Sequence, residues 1–526
     1  MEEITIYKIM RKSVIRIGNK EMFIFPETGK RYTYKEFDEK VTDVCRSMIA
    51  LGIGKESHVG IWMANIEEWY ILFFACNKIG AIAVPLNTSF KFKEMDEMLK
   101  KFDIDYLFMT KGYRGNYPEI INKIIPEMKI PCSTYPNLKE IVGVDFECDN
   151  CTAYDDFIGR GKNIDITKIT KMSENMCSYD VAIILPTSGT TGIPKGVELT
   201  NGQLIKNGFD VGERYELNKA DKMLIQVPMF HCFGITLSMI ASLTHGASMC
   251  CISHFSPEKS IQVINDEQIT CMNGVPTMYN DIINHPSFES DKVRSLKKGI
   301  MAGANCLPSD MVQAEESLGM TVFSVYGLTE GSPGCTMSAI YDSQDIRYNT
   351  VGEALPNIEC SIINPKIGKE CAIGEEGEFV VRGYNVMYGY YNDKEATNGT
   401  IDGDGWLHTG DLAKKRKDGT YVITGRIKDI IIRGGENISP KAVSVILNEC
   451  SGVVDSCVCG IPDPKYGEIV AAAIKTDGTV TINEIMTYMK EMCPSYMIPA
   501  RYKIVEYFPT NAAGKVLPHK VKKLFY

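Results

Sequence analysis

Apolar residues recur along this chain at two alternating spacings. Thr33 to Glu36 has the form of a capping box, and Phe37, Val41, Val44 and Met48 follow at helical spacing, which predicts a helix. His58–Trp62 then reads as a strand, 67–79 as a helix and 81–85 as the next strand. This alternation predicts a parallel sheet of the α/β class. It resumes after residue 180, with helical stretches near 201–212, 257–267 and 308–318 separated by short β-branched runs such as 321–325. Between about 340 and 425 the texture changes to strands with tight turns, predicting an antiparallel or barrel-like piece. Past residue 430 a compact α+β unit begins, with Ser439 and Pro440 as N-cap and first helical residue. A second capping box, Thr481 to Glu484, starts a helix whose Ile485, Tyr488, Met489 and Met492 are expected in the core. The expected architecture is a large N-terminal domain of two α/β subdomains plus a β-barrel-like subdomain, with a small α+β C-terminal domain.

One segment, 223–257, contains no Asp, Glu, Lys or Arg. Its apolar runs are too short for a spanning helix, so a buried helix near 234–243 and a buried strand near 247–252 are expected instead. Five hundred and twenty-six residues imply more than one domain. A formal charge of −9 offers no global attraction for nucleic acid or anionic lipid, so any phosphate binding must be local. Eighteen cysteines are scattered over a chain that opens without the apolar core of a signal peptide, which points to a reducing cytoplasm. Cys148/Cys151 and Cys457/Cys459 lack a second pair at zinc spacing and read as chance or core packing.

Four places carry candidate chemistry. Thr187 to Gly196 holds three glycines, four hydroxyl side chains and Lys195, the makings of a polyphosphate cradle. It is not a Walker loop, because Gly196 follows the lysine, and apolar runs on both sides make it a flap between two strands. A plain Gly/Ser/Thr linker is the alternative. Glu330 follows the apolar strand that ends at Tyr326, where α/β sheets bind ligands; facing a phosphate loop it suits a Mg²⁺ ligand, or else a surface glutamate. Asp418-Gly419 is a two-residue hairpin signal that sets Asp411 opposite Arg426, either as a pair for vicinal ribose hydroxyls or as an ordinary salt bridge. Lys515 sits on a small-residue loop near the C-terminus, where a lysine is usually solvated.

Together these stretches resemble the adenylate-forming enzymes, the superfamily of acyl-CoA synthetases, peptide-synthetase adenylation domains and luciferases. The resemblance rests on Thr187–Gly196, Tyr326–Glu330, Gly405–Asp411, Gly425–Asp429 with Gly434–Asn437, and Gly514-Lys515, and leans towards medium-chain fatty-acyl-CoA ligases. It implies an N-terminal AMP-binding domain over 1–425 and a mobile C-terminal domain over 426–526, hinged near Lys428. It implies that ATP and a carboxylic acid give an acyl-adenylate and pyrophosphate, after which the thiol of CoA displaces AMP.

By motif match, Thr187, Ser188, Gly189, Thr190, Thr191, Gly192 and Lys195 would hold the β- and γ-phosphates, with Glu330 on magnesium. Tyr326, Gly303 and Ala304 would flank adenine beside Gly327 and Thr329, and Asp411 and Arg426 would hold the ribose. Lys515 would contact carboxylate and phosphate, and Gly434 and Gly435 would line the thiol's path. The residues expected to carry catalysis are Lys515, Glu330, Thr190 and His231, the last lining the acyl entrance. Val275–Tyr279, Met301–Gly303, Met337 and Ser338 would form an apolar acyl pocket. The motif around Phe230 lacks the aspartate that would hold an α-amino group, which disfavours amino acids as substrates. After Pro440 the chain reads Lys-Ala-Val where many relatives carry a glutamate, a departure expected to touch only solvated surface. The expected partners are a carboxylic acid, ATP and CoA, with no nucleic acid and no membrane span. The rival reading is a stand-alone ligase that loads an acyl or aryl group onto a carrier protein.

Overall fold

A computed structural model describes residues 4–113, 115–147, 150–187, 194–304, 306–433, 436–511 and 514–526. Two large sheets dominate the N-terminal part. In the first, His58–Trp62 pairs in parallel with Ile82–Pro85 and Tyr106–Met109, and Val181–Thr187 continues the sheet to Lys195–Thr200 and Gly389–Tyr390. In the second, Lys222–Ile225 lies between Ser248–Cys251 and Cys271–Met272, followed outward by Lys298–Met301 and Thr321–Gly327.

Helix Glu67–Ile79 is buried at every residue but Glu68, as an all-round apolar sequence requires. Its Trp69, Tyr70 and Phe73 share one core with Ile183 of the first sheet and Phe23 and Met249 of the second. The capping boxes form: Thr33 with Glu36, Thr200 with Gln203, and Thr481 with Glu484, each worth about 1 kcal/mol. A separate antiparallel sheet runs Ile358–Ile363, Glu376–Gly383, Leu407–Lys415 and Tyr421–Arg426, the expected change of texture. The C-terminal unit has its own core, in which Ile431, Val443 and Leu447 pack on Val458, Val470, Ile485 and Met489.

Several expectations are corrected. The buried helix after His231 is a π-helix over Phe233–Ile240 before it becomes α-helical at Ala241–His245. Asn273 accounts for the wider turn, because its amide nitrogen donates to Leu237 O and Ser238 Oγ while its oxygen accepts from Ile300 N. Met492 is exposed, since its helix ends there, beyond the last turn that covers the core. Cys151 is disulfide-bonded rather than a chance thiol or core packing; Cys148 lies outside the described residues. Among the described residues no helix is long and apolar enough to cross a membrane.

Candidate active site

The strands on either side of the phosphate-loop candidate, Val181–Thr187 and Lys195–Thr200, pair antiparallel, as the flanks predict, with Thr187 paired to Lys195 and Thr187 Oγ1 donating to Lys195 O at 3.3 Å. Ser188, Gly189, Thr190, Thr191 and Gly192 lie outside the described residues, as do Gly434 and Gly435. The Lys195 ammonium stands 4.5 Å from the ring centre of Tyr390, whose hydroxyl donates to Glu330 Oε1 at 2.8 Å. Sequence reasoning missed Tyr390. Its only signal was the aromatic run Tyr388-Gly-Tyr390-Tyr391, and what brings it in is a two-residue strand paired to Lys195–Thr200.

Glu330 belongs to a short 3-10 turn, Thr329–Gly331, directly after strand Thr321–Gly327. The chain must pass closely here, because a Cβ at Gly327 would come within 1.8 Å of Pro333 O. No described residue bonds Glu330 Oε2, so a hard oxygen donor is free for a cation. The described residues contain no cluster of three or more His, Cys, Asp or Glu, so a magnesium ion would take its other ligands from phosphate and water.

Asp411 and Arg426 are cross-strand partners, with Arg426 Nε 2.8 Å from Asp411 Oδ1. The predicted pair is therefore present, but not through a two-residue turn. Lys417, Asp418 and Gly419 form a three-residue loop, and an extra residue at Thr424 bulges the return strand and restores the register. Asp411 Oδ2 accepts from the buried Tyr326 hydroxyl at 2.7 Å. Burial, then the carboxylate beside it, pushes the Tyr326 phenol far up, so it stays a donor. Asp411 is thus held by both oxygens, one on Arg426 and one on Tyr326. Nearby, a side chain at Gly303 would begin 3.3 Å from Val275 Cγ1 and 3.6 Å from Phe233, and Ala304 follows it half-buried.

His231 precedes the π-helix. Burial and the Lys515 ammonium pull its pKa down to about 4, so the ring is neutral at physiological pH. Cys232 Sγ lies 3.7 Å from His231 Nδ1 and 3.5 Å from Thr329 Oγ1, which ties this turn to the Glu330 turn.

Lys515 comes from the other domain. Its N–H donates to Asn511 Oδ1 and its carbonyl accepts from Asn511 N, closing a small loop. Gly514 has φ +81 and a Cβ there would meet Thr277 Oγ1 at 3.1 Å, so glycine lets the loop turn left-handed and dock on 275–277 of the large domain. The Lys515 side chain keeps open surface in the cleft, yet the surrounding protein lowers its pKa. Burial leads, Arg426 and Lys428 add to it, and Asp411 opposes. Lys428 itself is exposed on the turn Ile427–Asp429.

A cavity of about 180 Å³ opens beside this loop. Asn65 and Tyr113 from the first sheet's loops, Phe230 and His254 from the second's, and Asn511 and Gly514 line it. It lies at the carboxyl ends of strands from both sheets, the usual ligand crevice. A larger hollow of about 390 Å³ between Phe25 and Lys259 lies elsewhere, and its Arg31 and Lys259 are already paired with acidic side chains.

The helix after Pro440 is not merely solvated. Lys441 Nζ donates to Ile423 O and Ser444 is buried.

The profile of the AMP-binding enzymes matches residues 10–391, and that of the AMP-binding enzyme C-terminal domain matches residues 443–515. The acyl-CoA ligase sidI of Aspergillus fumigatus is 34% identical over 545 residues, covering 99% of this chain and 91% of that protein. The medium-chain acyl-CoA ligase ACSF2, mitochondrial, of Danio rerio is 30% identical over 536 residues, covering 99% and 88%. The anthranilate CoA ligase AuaEII in complex with anthranoyl-AMP superposes with a TM-score of 0.88 over 99% of this chain and 97% of that one, at 22% identity.

Proposed function

Because this chain belongs to the AMP-binding enzymes, a family of AMP-forming ligases, we propose that it activates an aliphatic carboxylic acid as its acyl-adenylate and transfers the acyl group to CoA. The observation that carries the reading is the docking of the loop bearing Lys515 against Val275 and Thr277, close enough for its charge to act on His231 and to feel Arg426 and Asp411.

In the first step a carboxylate oxygen attacks the α-phosphorus of ATP, and the bond to pyrophosphate breaks. Two anions must approach each other, so fixed cations lower the barrier most. Lys515 supplies one, held from two domains. Lys195 and Thr187 would hold the departing pyrophosphate. Glu330, oriented by Tyr390, would hold magnesium, which neutralises phosphate charge when bound. Asp411 keeps lone pairs for ribose hydroxyls while Arg426 and Tyr326 hold it. His231, being neutral, can line the acyl entrance without repelling Lys515.

In the second step the thiol sulfur attacks the acyl carbon, AMP leaves and the thiol proton is released. The large-domain wall of the cavity beside the Lys515 loop, with Asn65, Phe230 and His254, is a suitable approach for a pantetheine arm once that loop withdraws. The buried Phe233 and Val275 beside Gly303 support an aliphatic acid, and the ACSF2 relatives support medium chain length. A pyrophosphate-release screen across aliphatic and aryl acids, with and without CoA, tests this. Medium-chain acids should lead and AMP release should need CoA; release driven only by a carrier protein would overturn the acceptor.

A further inference from the structure

The two segments flanking the turn Ile427–Asp429 are tied together by side chains. Ser439 Oγ, from the N-cap of helix Pro440–Asn448, donates to Thr424 O at 2.7 Å. Two residues on, Lys441 Nζ donates to Ile423 O at 2.6 Å. The acceptors belong to strand Tyr421–Arg426, the last of the four-stranded sheet, and the donors to the start of a helix whose Val443 and Leu447 enter the C-terminal core. Thr424 is the bulged residue, without a partner in the register of the neighbouring strand, so its carbonyl is offered sideways. Lys441 is half-buried, and burial lowers its pKa while Cys306 and Asp411 partly offset this. An ammonium in such surroundings is held by its acceptor and costs free energy if left without one.

These bonds occur together with the Lys515 loop docked on 275–277. A rotation about 427–429 would stretch both, because donors and acceptors lie on opposite sides of it. We propose that Lys441, with Ser439, is a positioning residue for adenylation: it latches the small domain in the orientation that delivers Lys515 and releases when the domain turns. It touches neither ATP nor acid and acts through Lys515. The inference rests on the adenylating reading of the site.

The test uses Lys441→Met, which keeps the stem and removes the donor, with Lys441→Arg as the conservative control. Octanoic acid-dependent exchange of pyrophosphate into ATP measures adenylation, and thioester formation from synthetic octanoyl-AMP and CoA measures the second half-reaction. Exchange should fall about tenfold, the shift that one charge-assisted bond supports, with thioester formation unchanged or faster and Lys441→Arg largely restored. Tryptic cleavage between 426 and 433 should quicken, a readout that needs no substrate. Equal loss in both half-reactions, or no loss with cleavage unchanged, overturns the latch. A wild-type enzyme that exchanges with no acid in an aliphatic and aryl panel would instead sink the acid-activating reading, and the latch would stand or fall on cleavage alone. Should Lys441→Met fail to fold, Ser439→Gly removes the other donor at small cost to the cap; unchanged exchange and cleavage there also overturn the proposal.

Discussion

At the scale of single residues, the site works by side chains that hold other side chains. Tyr390 is the clearest case, lying between Lys195 and Glu330 and bonding the latter. Tyr390→Phe keeps the ring under the ammonium and deletes only the bond to Glu330. Adenylation kcat/KM should fall about tenfold, as for loss of one bond to a charged group, and fall further at limiting magnesium; an equal loss at all magnesium concentrations would remove the link to Glu330. His231 gives a second test. Its pKa of about 4 comes first from burial and then from Lys515. In Lys515→Met the ring should titrate higher, yet still below the ordinary histidine value, when followed by proton NMR. The sign for stability follows from the same depression. The unfolded chain takes up a proton that the folded ring refuses, so this contribution is complete above about pH 6.5 and is lost as pH falls towards about 4. For the ribose corner, Asp411→Ala should raise the KM for ATP and leave the order of preferred acids unchanged.

At the scale of elements, the π-helix and the bulged hairpin are local irregularities set by partners far away in sequence. Asn273 is fully buried and makes three bonds, to Leu237 O, Ser238 Oγ and Ile300 N. Asn273→Ala leaves a buried carbonyl and a buried N–H without partners, each worth about 1–3 kcal/mol. Urea unfolding should register a loss of about 2–6 kcal/mol on that basis. The hairpin carries a different lesson. A three-residue loop and a bulge at Thr424 together give the pairing of Asp411 with Arg426 that a two-residue turn would have given. The bulge also turns the Thr424 carbonyl towards Ser439, so one extra residue serves both the site and the domain contact.

At the scale of the whole molecule, two separate cores share one site. The large domain packs around Trp69, Tyr70 and Phe23, and the small one around Val443, Val470 and Ile485. Because each has a core of its own, calorimetry without nucleotide should resolve two transitions. On the proposed reading ATP in the cleft would touch both sides and stabilise by about 2.7 kcal/mol at a hundredfold excess over Kd. The two transitions should therefore converge with ATP and magnesium, and convergence should weaken in Lys515→Met. Identical scans with and without nucleotide would mean that the cleft does not join the domains.

The sequence alone determined the parallel α/β architecture, the capped helices, the change to antiparallel strands and the separate C-terminal unit, because these follow from spacing within a few residues. It also marked Glu330, Asp411, Arg426 and Lys515, since each lies in a motif with its own local pattern. Only the tertiary structure decided that Tyr390 joins Lys195 to Glu330, that Asn273 opens a π-helix, that Met492 faces solvent and that Lys441 crosses to Ile423. The physical reason is common to all four. Each depends on a contact or an absence of contact between segments distant along the chain, and spacing within a segment carries no information about which distant carbonyl, ring or solvent it will meet.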